Sequence, residues 1–175
     1  MGALIFNKGV VFRLLLAVSA CLLGIPCRYD GRAKVNDEVL NLFLSGVEVL
    51  PFCPECWGGL GVPREPAEIV GGTGKEVWEG KAKVLTKSGK DLTSQFKLGA
   101  KRVLEVCEKL SVSLFVLKEK SPSCGISLIY DGSFTGRVKH GMGVLAYILK
   151  EKGYKLKNEL EINNICFKKG DINGY

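Results

Sequence analysis

Apolar residues along this chain fall into short unbroken runs and longer stretches with a helical period, and the two kinds alternate. Residues 12–19 and 47–52 read as buried strands, continuously apolar as strands covered on both faces are. Residues 112–117 form a third such run, 127–130 are strand-like, and 154–162 suit an edge strand. Asn36 can cap a helix running to about residue 45, with Asp37 and Glu38 at the positive end of its dipole and Gly46 past its end. The clearest helix is 91–110, where Leu92, Phe96, Val103, Cys107 and Leu110 share one face and Lys97, Lys101 and Glu105 another. A last amphipathic helix covers 143–152 and stops at Gly153. Residues 58–74 read as an ordered loop holding Leu60 and Ile69, 77–86 as a small strand or hairpin, and 131–136 as a turn. This alternation predicts an α/β fold: a single compact domain with a mainly parallel sheet flanked by helices, a Rossmann-like sandwich. The domain is expected over 13–158, with an N-terminal extension at 1–12 and a C-terminal tail at 159–175.

Composition adds a surface and a compartment. The 175 residues are 46% hydrophobic and carry a net charge of +7, which favours anionic partners without saying anything about fold. No apolar run is long enough to span a bilayer as a helix. Val18-Ser19-Ala20-Cys21 has the form of a lipoprotein cleavage box, but Arg13 leaves only about seven apolar residues before the cysteine, a short signal core. After it the chain continues into Gly24-Ile25-Pro26 rather than a polar tether. A cytoplasmic location with no membrane contact and no obligate protein partner is the expectation.

Seven cysteines without the spacing of a secreted disulfide scaffold point to metal or redox chemistry. Cys107 falls on the apolar helix face and reads as core, and Cys166 lies in the tail. Cys21, Cys53 and Cys124 differ, each following a strand-like run in a turn rich in Gly and Pro. The carboxyl ends of parallel strands share one edge of a sheet, so the three can converge. Three thiolates without a fourth ligand would leave a bound metal an open position, as catalytic sites do. Thiolates select zinc, copper(I) or iron–sulfur clusters. Cys53 and Cys56 alone form a C-x-x-C, a zinc half-site or a redox pair, and a zinc site from Cys21, Cys27, Cys53 and Cys56 stays open. Polar groups surround these turns. Glu55 could act as a general acid or base or merely cap a turn, and Arg28 and Asp30 could meet substrate or pair with each other. Arg64 lies in the loop beyond, and Ser121 and Ser123 bracket Pro122 beside Cys124 as substrate contacts or turn hydroxyls.

Three motifs carry a resemblance. S-A-C-L-L-G-x-x-C-R-Y-D-G, C-P-E-x-x-G-G-L-x-x-P-R-x-P-x-E-I and K-x-x-S-P-S-C-G, in this order, resemble the bacterial and archaeal family containing the thiouracil desulfidases, over about residues 13–158. The resemblance implies a [4Fe–4S] cluster held by Cys21, Cys53 and Cys124, with one iron left open to the sulfur of a thiolated pyrimidine. It implies proton handling by Glu55 and help from Ser121 or Ser123; Arg28, Asp30 and Arg64 are expected as substrate contacts from their place around the cysteine turns. The products would be the oxo-pyrimidine and sulfide, with no net redox change. A thiolated nucleobase, nucleoside or nucleotide is the implied substrate class, and a tRNA thionucleoside a larger candidate. Residues 1–11 extend beyond the usual start, and His140 stands where the family has a glycine-rich turn, as a proton carrier or a surface residue.

Overall fold

A computed structural model describes the backbone of residues 4–7, 10–13 and 15–162, with side chains from residue 15 onward; Cys166 lies outside these. β1 (Leu4–Asn7) and β2 (Val10–Arg13) form an antiparallel hairpin. The chain then runs β3 (Leu15–Ser19), α1 (Asp37–Leu44), β4 (Glu48–Phe52), α2 (Pro54–Trp57), β5 (Ala67–Val70), α3 (Gly74–Glu79), β6 (Lys83–Thr86) and α4 (Thr93–Lys109). It ends with β7 (Leu114–Leu117), β8 (Leu128–Tyr130), β9 (Val138–His140), α5 (Val144–Glu151) and β10 (Leu156–Asn158).

The main sheet is parallel throughout, in the order β10-β7-β3-β4. Ser19 lies opposite Phe52 and Val18 opposite Val116, so β3, β4 and β7 finish at one edge. Successive side chains point to opposite faces. Leu16, Val18 and Val116 pack with Val39 of α1, while Ala17, Phe115 and Leu117 pack with Phe96 and Val103 of α4 and Leu145 of α5. Both faces are covered, which is why the strands read as unbroken apolar runs. From β3 the chain steps outward to β4, then returns past β3 to β7. Such a reversal opens a crevice at the carboxyl ends of the two strands beside it, here β3 and β7.

The α/β class and the parallel sheet are as expected, and the differences are local. The 12–19 run is divided between β2 and β3, because β4 and β7 offer partners only from Leu15 onward. The 77–86 segment splits into α3 and β6. A capping box over-rides the strand preference of Val77 and Trp78: Thr73 and Glu76 satisfy each other's free backbone N–H groups, and Gly80 closes the helix at φ +77°. Residues 67–70, expected as loop, pair with β6 as β5. The edge strand is only Leu156–Asn158, yet Glu159 and Ile162 beyond it are buried. Cleavage before Cys21 would remove β3 from the middle of the sheet, so the lipoprotein-like stretch serves the fold. Among the described residues no helix is long and apolar enough to cross a membrane.

The short helix α2 lies directly on α4, and two glycines allow the approach. A Cβ on Gly99 would overlap the Pro54 carbonyl oxygen, and one on Gly58 the Gln95 carbonyl oxygen. Because α2 carries Glu55 and Cys56, this contact sets their position. In an unhindered helix Gly→Ala stabilises by about 0.5–1 kcal/mol. Here Gly99→Ala is expected to destabilise by about 1–3 kcal/mol through overpacking. At ~2–4 °C per kcal/mol for a chain of this size, Tm falls by several degrees in a thermal melt. A raised Tm would refute the contact.

Candidate functional site

The three turn cysteines sit at the shared strand edge. Cys21 is in the tight turn Ala20–Leu23 directly after β3, Cys53 is the residue between β4 and α2, and Cys124 lies in the loop after β7. Cys21 and Cys124 are buried and Cys53 partly so; all are free thiols. Two further cysteines join them. Cys27 packs with Cys21, Cys53 and Cys56 in one cluster, and its carbonyl accepts from Cys53 Sγ and Cys56 Sγ, each at 3.8 Å. Cys107 stays apart in the core face of α4, where burial pushes its thiol up to about 12.

Burial and mutual contact raise the pKa values of Cys27, Cys53, Cys56 and Cys124. The hydrogen bond with Cys21 is the main cause that pushes Cys27 up to about 12. Cys53 is raised by its bond to Cys27 and then by burial, and Cys56 is pushed up to about 11, first by burial and then by the Cys53 charge. Burial raises Cys124, against the pull of the Ser19 and Ser121 hydroxyls. A metal that binds here supplies the charge that deprotonates its ligands. Among the described residues no three His, Cys, Asp or Glu side chains are gathered tightly enough to hold a single ion as they stand. The chemistry of the donor set, several buried soft thiols on one edge, fits an iron–sulfur cluster.

Beside the thiols runs a chain of polar contacts. Glu55 Oε2 accepts from Arg64 Nε at 3.0 Å and Nη2 at 2.6 Å, while Glu55 Oε1 accepts from Ser123 Oγ at 3.4 Å. Arg64 also donates through Nη1 to the Gly61 carbonyl at 3.0 Å and through Nη2 to the Cys27 carbonyl at 3.1 Å. Burial works against the Arg64 charge, but the Glu55 carboxylate outweighs it and holds the guanidinium above its ordinary pKa. Arg28 and Asp30 pair with each other at 3.3 Å in a partly exposed turn. That turn is tied to the site through the backbone, where Arg64 N–H donates to the Tyr29 carbonyl at 2.8 Å.

The Cys124 loop is held from several sides. Ser121 Oγ accepts the N–H groups of Ser123 and Cys124 at 3.2 and 3.1 Å, so it shapes the turn while Ser123 faces Glu55. The loop carbonyls of Pro122 and Ser123 accept the first free N–H groups of α5, from Val144 and Leu145. Buried Glu119 Oε1 accepts from the N–H groups of Ile126, Ser127 and Leu128. Glu159 takes Lys118 Nζ at 2.6 Å and the Glu119 N–H at 2.7 Å. His140 is exposed on β9, opposite Leu128.

Cys21, Cys53, Glu55, Arg64, Ser123 and Cys124 thus belong to one connected group, and Arg28 and Asp30 stand at its margin engaged with each other. Sequence reasoning offered Cys27 and Cys56 only within the alternative zinc site or C-x-x-C pair, and not beside Glu55 and Arg64. Their signal was position, six residues after Cys21 and three after Cys53 in sequence.

A family model described as 2-thiouracil desulfurase matches residues 16–161. The chain belongs to that family. The three motifs therefore led to the right enzyme class. Among curated proteins, the uncharacterised protein YbbK of Bacillus subtilis (strain 168) is 44% identical over 151 residues, covering 86% of this chain and 99% of YbbK. Among solved structures, one titled [4Fe-4S]-dependent thiouracil desulfidase TudS is 38% identical with a TM-score of 0.76, covering 87% of this chain and 95% of that one.

Arg64 is spent on protein atoms, which predicts a loss of stability when it is removed. Arg64→Ala strands a mostly buried carboxylate and is expected to cost about 3–5 kcal/mol. Arg64→Lys restores little, because one ammonium cannot reproduce a planar fork that serves Glu55, Gly61 and Cys27 together. Thermal melts of the apo-protein check both, and a lysine variant as stable as the parent contradicts the assignment.

Proposed function

We propose that this desulfurase-family enzyme uses a [4Fe–4S] cluster held by Cys21, Cys53 and Cys124, with one iron free of protein ligands. Its substrate is a thiolated pyrimidine: 2- or 4-thiouracil, the thiouridine or its nucleotide. The observation that carries the reading is the Arg64–Glu55–Ser123 chain, an oriented carboxylate and hydroxyl lying beside a nest of thiols at a strand-order reversal. The likeness to a structure titled as a [4Fe–4S]-dependent thiouracil desulfidase supports the same cofactor and substrate.

The net reaction replaces C=S by C=O: water enters at the carbon and sulfur leaves as sulfide, with no change of oxidation state. When bound, the cluster supplies a soft Lewis acid for the thiocarbonyl sulfur, making it a better leaving group. The chain's own residues then manage position and protons. Glu55 Oε1, the oxygen not taken by Arg64, accepts a proton from the attacking water. Ser123, in contact with that oxygen, hands protons between it and the substrate. Arg64 holds the carboxylate in one orientation, so that little is lost in arranging it. Ser121 keeps Ser123 and Cys124 in one turn. Arg28 and Asp30, at the margin, contact the part of the substrate that projects outward. The positive surface suits a nucleotide, and a tRNA thionucleoside would need its base turned out of the stack to enter.

Purified without oxygen, the protein is expected to be brown, with about four irons per chain as a [4Fe–4S] cluster requires. Cys21→Ser, Cys53→Ser and Cys124→Ser each lose that colour and iron, whereas Cys56→Ser keeps both. A colourless protein with stoichiometric zinc after cluster reconstitution defeats the reading.

Glu55→Gln separates chemistry from loading. It keeps the cluster but releases sulfide from thiouracil about 10²–10⁴-fold more slowly, the range for loss of a general base. Undiminished turnover removes Glu55 from the mechanism. A panel of thiolated bases, nucleosides, nucleotides and tRNA, read by sulfide release, ranks the substrates.

A further inference from the structure

Cys53 and Cys56 form a C-x-x-C of which the proposed ligand set uses only the first. Cys53 is the N-cap of α2 and Cys56 its third residue, with Pro54 at the first position. Residues three apart on a helix are neighbours on one face. Both thiols donate to the same acceptor, the Cys27 carbonyl oxygen, each at 3.8 Å. Their sulfurs therefore gather on one side of α2, around a single atom. Both are free and half-buried, whereas Cys21, Cys27 and Cys124 are buried. A disulfide needs Cα atoms about 4.4–6.8 Å apart, a separation that one helical turn provides. Cys27 packs in the same cluster and is the competing partner, but Cys53 and Cys56 are already held one turn apart by α2 itself.

We propose that in the cluster-free protein Cys56 is a resolving thiol, which protects Cys53 from irreversible oxidation by closing a reversible Cys53–Cys56 disulfide. The oxidant is a peroxide. With hydrogen peroxide, the Cys53 sulfur takes one oxygen as the O–O bond breaks, giving a sulfenic acid and one water. The Cys56 sulfur then attacks the Cys53 sulfur. The S–O bond breaks, and its hydroxyl leaves with the Cys56 proton as a second water. In sum two thiols lose two hydrogens and two electrons, and the peroxide is reduced to two waters. Without a thiol alongside, the sulfenic acid is open to further oxidation, to sulfinic and sulfonic acids that dithiothreitol does not reverse. The disulfide is opened by thiol exchange, which returns both cysteines. The protective role rests on Cys53 being a cluster ligand, since it is then the capacity to load a cluster that Cys56 preserves.

The test treats the full-length apo-protein with hydrogen peroxide, blocks remaining thiols with N-ethylmaleimide and digests it with trypsin. Residues 35–64 come off as one peptide that holds Cys53 and Cys56 and no other cysteine. In the wild type this peptide is expected lighter by two hydrogens and unblocked, and a portion reduced with dithiothreitol before blocking takes up two maleimides. A second portion, reduced and then reconstituted without oxygen, regains about four irons per chain. Cys56→Ser and Cys56→Ala load iron like the wild type when never oxidised. After peroxide they carry two or three added oxygens on Cys53, and dithiothreitol does not restore their iron. A wild-type 35–64 peptide with both thiols blocked, or cross-linked to the peptide containing Cys27, overturns the proposal without recourse to any variant. So does full recovery of iron by both Cys56 variants after peroxide. Cys53→Ser separates the two ideas: an unaltered cluster there removes Cys53 as a ligand and the protective role with it, whereas a missing disulfide in the wild type leaves the ligand set standing.

Discussion

The parallel pairing of β3 between β4 and β7 is the constraint on which the rest of the site depends. Register alone brings Ser19 opposite Phe52 and Val18 opposite Val116, so residues far apart in sequence leave the sheet at one level. Cys21 and Cys53 follow within two residues of their strand ends, which leaves their backbone little freedom. Apolar packing on both faces holds that register firmly, because a one-residue slip would exchange the face of Ala17 for that of Leu16 and Val18. The convergence of thiols is thus a product of the core and needs no contact among the thiols themselves.

Cys124 is the exception, since six residues separate it from the end of β7. Its loop is held by charge-assisted hydrogen bonds. Glu119 gathers three backbone N–H groups on one oxygen, and Glu159 ties the loop's first residues to the chain just past β10. Carboxylates accepting backbone N–H groups are strong anchors, roughly twice a neutral hydrogen bond. The other Glu119 oxygen is buried with no hydrogen-bond partner among the described residues, a cost of about 1–3 kcal/mol that the three bonds must offset. Burying acids so near prospective thiolates adds repulsion, which the cations Arg64 and Lys118 temper.

What the sequence makes legible follows from the length of each signal. β4, β7 and α4 carry long or unbroken apolar patterns, and their bounds emerge within a few residues. α2 has four residues, too few for any period, and shows itself only through Pro54 at its first position and the glycine that ends it. At α3 the intrinsic preference of Val77 and Trp78 for strands competes with a capping box, and the cap wins because it satisfies backbone groups that a strand there would leave free. In the site, Cys21 and Cys53 are legible because each follows its strand within two residues, and Cys124 because it sits in the Ser121-Pro122-Ser123 turn beyond an apolar strand run. The inclusion of Cys27 depends on how the turn at 24–31 folds against α2, a tertiary contact that leaves no local pattern. The same holds for Arg64: its charge is visible in the sequence, but its commitment to Glu55, Gly61 and Cys27 arises only when two loops meet.

The Cys27 carbonyl shows how such a site can change its charge without losing its shape. In the thiol state it accepts from Cys53, Cys56 and Arg64, but the two sulfur contacts at 3.8 Å are weak and the guanidinium contact at 3.1 Å is charge-assisted. On the proposed ligand set Cys53 gives up its proton, and the carbonyl then loses a minor donor and keeps the major one. Arg64 keeps its charge throughout, and the same side chain holds Glu55. One cation therefore fixes both the turn behind the thiols and the carboxylate beside them. Arg64 holds Glu55 in the orientation proposed for the base without needing a cluster to set it.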